Sequence, residues 1–358
     1  MAMYPVYRNY YNGLGMEQYE RFKNFKAHNS MFFNPWQYRV LCPYMIEAIY
    51  QVFDHTVFNL VDFSKVSINP PKNSGEKNPV TQKLIEQSGN AEFFKYNIIF
   101  VLFRFLEHVA IFYLAFRYFR AFTSNTALAF LGIMLVALFM GNAVADSDLS
   151  FNTYMDVILY LCLGIVIMES LSNWWVVALT VMGAFNRETS LLIPVVFFAS
   201  KVNFALWPNV FKILFSDRKA LWVTALSGVF FVVIFVSIRS YFGYRPPTEW
   251  RVPAGLQMLK LNLLSSVSVK TYMEMFGIFG VLPIWVLSIF RQMNPRLKIF
   301  FITLIPIWFG IHVWSVVAYQ SRLFLVPTLL VFIPAILERI EAEFVARTST
   351  APLPDRPI

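Results

Sequence analysis

The stretch "LWVTALSGVFFVVIFVSI" (221–238) contains no charged residue. A helix needs about 20 predominantly apolar residues, with a range of about 17–25, to cross the hydrocarbon core of a bilayer. A second charge-free run covers 299–321, and two shorter ones at 275–290 and 323–337 are flanked by charge. The repetition of such runs predicts an all-α fold, a polytopic transmembrane helical bundle.

The composition favours a membrane protein over a soluble one. The 358 residues are 57% hydrophobic and 14% charged, whereas soluble domains are about 45–50% apolar and about 25% charged. The net charge of +9 is ordinary for a membrane protein, because cytoplasmic loops collect Lys and Arg. The aromatic residues lie inside the apolar runs and are not interleaved with a basic patch, as is typical of nucleic-acid binding. We expect a multi-pass protein of an inner or plasma membrane, or its equivalent, with the lipid bilayer as partner and no nucleic acid.

The chain divides into one membrane domain and two polar ends. An aromatic, basic segment occupies 1–39, a single transmembrane domain 40–340, and a tail that we expect to be disordered 341–358. Polar loops interrupt the domain at 64–95 and 241–270, where Pro, Gly and mixed charge cluster. We count about 8–10 membrane segments by length and hydropathy. Their expected positions are near 40–62, 96–119, 125–144, 154–171, 174–200, 220–241, 271–290, 297–317 and 320–338.

One of these segments, 174–200, carries charge in its middle. In "GAFNRETSLLIPVVFF" (183–198), Arg187 and Glu188 interrupt runs that otherwise lack charge. Adjacent helical residues point about 100° apart, so each side chain needs a partner on another helix. Pro194 could break the helix here, and a broken or re-entrant helix exposes backbone groups suited to a ligand site. The alternative is a buried interhelical salt bridge.

A group of acids lies at the junction before this segment. The stretch "NAVADSDLSFNTYMDVILYL" (142–161) contains Asp146, Asp148 and Asp156 and no Lys or Arg. These carboxylates are the obvious partners for Arg187. They could also line a polar cavity at the membrane surface, as candidate catalytic bases or as ligands of a divalent cation; no other cofactor is indicated. The alternative is a solvated loop in which Asp148 or Ser150 caps the next helix.

A third polar group falls within a predicted span. In "FRFLEHVA" (103–110), Arg104 lies three residues before Glu107 and four before His108, so all three share one helix face. A charge at the centre of a membrane helix costs at least about 2.5–3.5 kcal/mol and normally faces the bundle interior. We interpret this group as a structural polar cluster held by an ion pair, with a functional role as the alternative.

Two further arginines begin apolar segments. Arg39 lies in "NPWQYRVLCP" (34–43) and Arg322 in "AYQSRLFLVP" (318–327). Each could be an interfacial anchor. A guanidinium also donates two hydrogen bonds at once to a phosphate, so both are candidate phosphate ligands.

Four of these segments resemble the GT-C superfamily of multispanning glycosyltransferases. "PWQYRVLCP" is similar to the Tyr-Arg-x-Leu-x-Pro start of an early helix in bacterial members, and "QSRLFLVP" to the Arg-bearing start of a late helix. "FNTYMDVILYL" resembles the Tyr-x-Glu/Asp motif of the GPI-anchor mannosyltransferase branch, and "AFNRETSLLIP" resembles the Arg-containing segment that follows it. The resemblance spans roughly residues 34–330.

The resemblance implies that the protein transfers a sugar from a polyprenyl-phosphate-linked donor outside the cytoplasm. A carboxylate of the first external loop would act as the base on the acceptor hydroxyl, and basic side chains or a metal ion would hold the departing phosphate. Tyr154 and Asp156 would lie at the cavity. The substrate-binding residues expected on this basis are Arg39, Tyr154, Arg187, Glu188 and Arg322.

The chain departs from the family at its start. The family's acidic motif follows a first transmembrane helix, and no such helix is predicted within 1–39, which contains Glu17 and Glu20 but no Asp. Either the base comes from Asp146 or Asp148, or the chain is N-terminally short, or it is not a catalyst. A non-catalytic accessory subunit of a membrane complex, bound to partner proteins, is therefore the alternative function. A transporter or flippase is less favoured, because the sequence lacks the internal repeats common in such proteins.

Charge leaves the membrane orientation open. Basic residues cluster in 1–39, at 117–120, at 201–219, at 291–298 and near the C-terminus. All of these can be cytoplasmic only if the segment 174–200 starts and ends on the same side of the membrane. The family resemblance instead places 1–39 outside the cytoplasm.

Overall fold

The fold is a bundle of helices. The structure, a computed structural model, describes residues 1–11, 14–27, 36–65, 82, 85, 87, 90–144, 151–204, 209–244 and 252–350. The described residues form helices and turns, with no strand among them. Six of these helices are long and apolar enough to cross a membrane. The predicted polytopic helical bundle is therefore confirmed.

We number the helices in chain order. They are α1 (Met3–Tyr11), α2 (Leu14–Lys26), α3 (Leu41–His55), α4 (Ala91–Phe119), α5 (Thr126–Ala143), α6 (Phe151–Met168), α7 (Trp174–Ala184), α8 (Leu192–Lys201), α9 (Val210–Leu214), α10 (Arg218–Phe242), α11 (Leu256–Leu264), α12 (Ser266–Phe279), α13 (Leu282–Ile289) and α14 (Pro295–Ser315). The final membrane helix, which we call the last span, covers Ser321–Ala346. The six candidate spans are α4, α5, α6, α10, α14 and the last span.

Several spans begin at a side chain that caps the first turn. The capping residues, each accepting a hydrogen bond from a backbone N–H of the first turn, are Asn90, Asn125, Asp217 and Asn294. A cap of this kind satisfies an N–H group that has no partner within the helix. These polar residues also end the apolar runs, so the helix starts lie within a few residues of the predicted boundaries.

A bent pair of helices lies between α10 and α14. The segments Ser266–Gly277 and Leu282–Gln292 meet at an angle of 62°. Gly280 lies at the bend with a φ of 50°, a left-handed conformation that glycine adopts without steric cost. With this pair counted as one crossing, the described spans number up to seven. The expectation of about 8–10 segments also counted apolar helices that are too short to cross a bilayer of about 30 Å.

The centre of the bundle is formed by α6 and the last span. In each of these helices 83% of the most apolar window is buried, against 17% for α10. Phe103 of α4 packs edge-on against Phe151 at the start of α6, with 5.6 Å between ring centroids. The Tyr118 hydroxyl of α4 donates to the Leu330 carbonyl of the last span at 2.9 Å.

The charged segment 174–200 is a helical hairpin. Trp174, at the start of α7, lines one groove with Trp222, near the start of α10. The turn between α7 and α8 lies at the other end of α10, where Phe185 packs against Ile238. The chain then returns, and the Asn203 N–H donates to Ser216 just before α10 at 3.2 Å. Both open ends of the hairpin therefore lie at the same end of the bundle, as the broken or re-entrant form of the prediction requires.

The two ends of the bundle can now be defined. The tip end contains the hairpin turn, the start of α6 and the end of α10. At the far end, the Arg117 Nε of α4 donates to Glu169 at 2.8 Å, and Arg296 of α14 donates to the Met168 carbonyl at 2.8 Å. The hairpin starts and finishes at the far end. Successive spans therefore run in alternating directions between the two ends only if the bent pair α12–α13 forms one crossing of the bundle.

The N-terminal part of the chain lies at the tip end. The Tyr19 hydroxyl of α2 donates to Glu92 at 3.0 Å, close to the start of α4. The helix α3 begins next to the hairpin turn, where the Leu41 N–H donates to the Phe185 carbonyl at 3.0 Å. It ends where Asp54 accepts a hydrogen bond from Lys95 at 2.6 Å.

The expectation that the segment 40–62 crosses the membrane is therefore wrong. The helix α3 has 15 residues, which at about 1.5 Å per residue covers about 22 Å, and both of its ends are at the tip end. Its apolar face packs onto α4 and α6 instead of spanning. The described parts of the basic segment 1–39 consequently lie at the opposite end of the bundle from the described residues of the basic clusters at 117–120, 201–219 and 291–298.

Close packing of α6 gives a first prediction. A Cβ added at Gly164 would lie 2.6 Å from the ring of Tyr118, whereas one added at Gly228 of α10 would meet nothing within 4 Å. We expect Gly164→Ala to lower the free energy of unfolding by about 1–3 kcal/mol, the usual cost of overpacking a core. Gly228→Ala is the matched control and should be neutral or slightly stabilising, because alanine is the better helix former. Thermal unfolding in detergent measures both, and equal midpoints for the two variants would contradict the packing.

Candidate functional site

The hairpin turn is built by a glycine and a proline. The Gly183 carbonyl, near the end of α7, accepts hydrogen bonds from the N–H groups of Asn186 and Arg187, both at 2.8 Å. A Cβ at Gly183 would lie 2.5 Å from Ser190, so only glycine allows the chain to fold back this closely. Pro194 is the third residue of α8, a position in the first turn where its missing N–H costs nothing.

The turn is joined to α6 by an ion pair. Arg187 donates to the Asp156 carboxylate at 3.0 Å, and their side chains are 6% and 0% exposed. Asn186 donates to the same carboxylate at 2.6 Å, and the Thr189 hydroxyl does so at 3.4 Å. The prediction that Arg187 finds its partner among the acids of 146–156 is confirmed for Asp156.

Glu188 pairs with two arginines from other elements. Its carboxylate accepts from Arg239, at the end of α10, at 3.0 Å and from Arg39, just before α3, at 3.4 Å. The Arg239 guanidinium also lies 4.4 Å from the centre of the Tyr38 ring. Arg187 and Glu188 therefore have separate partners and do not pair with each other, as predicted.

The site extends to α14 and the last span through aromatic contacts. Tyr160 of α6 donates to the Thr189 carbonyl at 2.7 Å and packs edge-on against Trp308 of α14 at 5.3 Å. His312, one turn further on, stacks on Trp308 at 5.1 Å. The start of the last span joins these aromatic contacts, because the Trp308 indole N–H donates to the Leu323 carbonyl at 2.6 Å.

Arg322 closes the site at the start of the last span. It is 5% exposed and donates to the Gln320 side chain at 3.0 Å. Asn262 of α11 holds this connection in place, because its side chain accepts from the Ala318 N–H at 2.9 Å and donates to the Val316 carbonyl at 2.8 Å.

Together these residues form what we call the tip cluster. Its charged members among the described residues are Arg39, Arg187, Arg239, Arg322, Asp156 and Glu188. Four guanidinium groups therefore stand beside two carboxylates in the part of the cluster that the structure describes. In a surrounding of low dielectric constant, fixed cations favour an anion.

Neighbouring charges shift the pKa values of Arg39 and Glu188. Burial and the charge of Arg187 lower the pKa of the Arg39 guanidinium to about 10, against the opposing charges of Glu188 and Asp156. Burial raises the pKa of the Glu188 carboxyl. The charge of Arg39, a backbone hydrogen bond and the charges of Arg239 and Arg187 outweigh that effect, so this pKa lies below its ordinary value. Glu188 is therefore ionised at neutral pH.

The polar cluster predicted on α4 is present, but the described contacts include no ion pair between Arg104 and Glu107. Arg104, Glu107 and His108 all lie on the buried face of α4. The Arg104 guanidinium stacks over the Phe151 ring at 4.5 Å and forms no ion pair with Glu107. Neither oxygen of the Glu107 carboxyl has a hydrogen-bond partner within the part of the chain that the structure describes.

This cluster also contains Tyr154. His108 contacts the Ala2 carbonyl at 2.8 Å, and its ring packs edge-on against Tyr154 at 4.5 Å. Tyr154 is therefore buried between α4 and α6, while Asp156, two residues later, faces the hairpin. Of the residues expected to bind substrate, the tip cluster brings together Arg39, Arg187, Glu188 and Arg322, and leaves Tyr154 apart.

The remaining acidic candidates, Asp146 and Asp148, lie outside the described residues. Among those that are described, no group of three or more His, Cys, Asp or Glu side chains could hold a metal ion. The divalent cation stays a prediction that concerns the stretch 145–150. The sequence analysis did not single out Arg239 or His312 as site residues. Each lies in an apolar run, and hydropathy does not predict which residues a side chain contacts in the folded protein.

Comparisons of the chain with protein-family models, with curated proteins and with solved structures find no match.

The pair between Asp156 and Arg187 gives the second prediction. Removing one partner of a buried ion pair leaves an uncompensated charge, which costs about 3–5 kcal/mol. We expect Arg187→Met and Asp156→Leu each to lower the unfolding midpoint strongly, and the double variant to recover much of that loss. The measurement is a double-mutant cycle by thermal unfolding in detergent. Additive losses would contradict a direct interaction.

Glu188 gives a third prediction, for the dependence of stability on pH. Because its pKa in the folded protein lies below the ordinary value of 4.5, its ionised form stabilises the fold above that pH. The contribution is lost as the pH falls through the lowered pKa. We expect Glu188→Gln to lose stability at neutral pH and to show a smaller further loss than the wild type on acidification. Parallel unfolding curves for the two proteins between neutral and acidic pH would exclude this role.

Proposed function

We propose that the protein is an integral membrane glycosyltransferase of the GT-C type, which transfers a sugar from a polyprenyl-phosphate-linked donor to an acceptor. The observation that carries this proposal is the meeting of distant motif arginines in one buried site. Arg39, Arg187 and Arg322 come from three of the segments that resemble the superfamily. Arg39 pairs with Glu188, the neighbour of Arg187, and Arg322 adjoins Leu323, whose carbonyl accepts from Trp308.

The chemistry of the tip cluster supports binding of a phosphate. In the proposed reaction the bond between the sugar C1 and the phosphate oxygen breaks, a bond from C1 to the acceptor oxygen forms, and the acceptor proton passes to a carboxylate. Negative charge develops on the departing phosphate, which fixed guanidinium groups in a water-poor site stabilise. The guanidinium groups of the tip cluster suit that task.

Within this proposal the acids have different roles. Asp156 accepts hydrogen bonds from Asn186, Arg187 and Thr189, so we assign it to positioning Arg187. A base needs an oxygen free to reach the acceptor proton, and we keep Asp146 and Asp148 as the candidates for it.

The resemblance supports an external site, because enzymes of the resembled superfamily use their donors outside the cytoplasm. Short cytoplasmic loops collect Lys and Arg, but both ends of the bundle have basic connections. At the far end these are 117–120, 201–219 and 291–298. At the tip end the segment 1–39 is basic, and the connection between α10 and α11 contains Arg245 and Arg251. The assignment of the tip cluster to the external side therefore follows from the resemblance.

The second candidate function is a non-catalytic accessory subunit of a membrane complex. One observation favours it: Asp156 and Arg187 neutralise each other while fully enclosed, as a purely structural pair would. In that case the tip cluster would fix the hairpin and bind no substrate.

A binding experiment tests the proposal, and this is the fourth prediction. We expect purified protein to bind a polyprenyl phosphate about tenfold or more tightly than the corresponding polyprenol, since a charge-assisted hydrogen bond contributes about 1.5–3 kcal/mol. Arg322→Gln should weaken binding of the phosphate and leave that of the alcohol unchanged. Arg291→Gln, an exposed arginine at the far end, is the matched control.

Two outcomes would overturn the proposal. One is equal affinity for the phosphate and the alcohol, and the other is equal behaviour of the Arg322 and Arg291 variants. A second measurement separates enzyme from accessory subunit: release of polyprenyl phosphate from a panel of polyprenyl-phosphate sugars in the presence of alcohol acceptors. Binding without release for any member of the panel would favour the accessory subunit.

A further inference from the structure

A groove at the far end of the bundle lies well away from the tip cluster. It is formed where the hairpin opens against the start of α10 and has a volume of about 660 Å³. Its lining contains Ser172, Asn173 and Trp174 from the beginning of α7, and Lys219 and Trp222 from α10. Among the elements that supply residues to the tip cluster, only α10 also lines the groove. Arg239 lies at the opposite end of that helix.

The groove has a polar part and an apolar part. Ser172, Asn173 and Lys219 stand at its outer end, near the end of α6 and the start of α10. The wall then continues along α10 through Trp222, Val223 and Leu226. A molecule that matches this wall carries a charged group at one end and a hydrocarbon chain at the other.

The polar groups of the groove are not used by the protein itself. Among the described residues, the Lys219 ammonium has neither a hydrogen bond nor an ion pair. Asn173 stands at the N-cap position of α7 but its side chain makes no capping hydrogen bond. Two other basic groups at this end have partners, since Arg117 donates to Glu169 and Arg296 to the Met168 carbonyl.

The apolar groups of the groove are open as well. Trp174 is 66% exposed and Trp222 is 76% exposed. Tryptophan and lysine side chains characteristically lie at the boundary between hydrocarbon and headgroups, with the lysine reaching toward the phosphates. Lys219 and Trp222 lie near the start of the span α10, which agrees with such a boundary.

We propose that this groove binds one anionic phospholipid from the leaflet at the far end. The Lys219 ammonium would pair with the lipid phosphate, Ser172 and Asn173 would donate hydrogen bonds to it, and an acyl chain would lie between Trp222 and the hairpin. Charge selects this occupant, since the groove offers a cation and contains no acidic side chain. The bound lipid would hold the open end of the hairpin against α10. The inference does not depend on the proposed function.

Lipid titrations of the purified protein in detergent test the inference, and this is the fifth prediction. We expect phosphatidylglycerol to raise the thermal unfolding midpoint of the wild type more than phosphatidylcholine with the same acyl chains. Lys219→Glu should raise the phosphatidylglycerol concentration needed for half of the effect by at least about fivefold, the usual worth of one basic side chain at a membrane surface. Lys212→Glu, the same charge change on exposed α9 outside the groove, should respond like the wild type.

A second variant and a soluble probe complete the test. Trp222→Ala should weaken the response to both lipids, because it removes the surface against which the chain lies. Glycerol phosphate, which has the headgroup charge but no chain, should leave the midpoint unchanged. Any of three results would overturn the inference: a Lys219→Glu response equal to the wild type, equal effects of the two lipids on the wild type, or a full effect of glycerol phosphate.

Discussion

The ion pair between Asp156 and Arg187 determines how the rest of the bundle is arranged. The two short helices of the hairpin have 11 and 10 residues, about half of what a bilayer crossing needs, so their turn must end inside the protein with its polar groups satisfied. One face of α6 meets that need. Asn186 donates to the Asn152 carbonyl, Arg187 and Asn186 to Asp156, and Tyr160 donates to Thr189. Residues 152, 156 and 160 are four apart and therefore lie on one stripe of the helix.

Stability alone does not account for so many buried arginines. Replacing a buried ion pair by well-packed apolar side chains is often neutral or stabilising, and a bundle with this much leucine and phenylalanine could have been closed without charge. The tip cluster instead concentrates guanidinium groups from four separate parts of the chain. Asp156 holds Arg187, and Glu188 holds Arg39 and Arg239 together, so these carboxylates set the spacing between cations. Cations fixed in this way are pre-organised for an anion.

The sequence predicts the spans well because each is an apolar run that ends at a capping residue, as at Asn90 and Asn294. It also predicts the partner of Arg187, since the acidic junction 146–156 has no other nearby cation in sequence. It fails where hydropathy is ambiguous: α3 is apolar enough to resemble a span, yet packs on α4 and α6 at one end of the bundle. Helical periodicity places Arg104 and Glu107 on one face, but tertiary contacts decide their partners, and Arg104 stacks on Phe151 instead. Arg239 could be found only with the hairpin geometry known, because 51 residues separate it from Glu188.

The hairpin also imposes an order on the assembly of the protein during its synthesis. When the turn emerges, α6 has already been made, so Arg187 finds Asp156 in a helix 31 residues upstream. Arg39 has been made as well, and one of the two partners of Glu188 is therefore available at once. Arg239 has not yet been made, because it lies three residues before the end of α10. Until α10 has been inserted, the hairpin has no outer wall and its open end faces lipid. The nascent chain must therefore keep the half-buried Glu188 carboxylate near the membrane surface until the next span arrives. The insertion machinery, and not the finished fold, has to stabilise this intermediate.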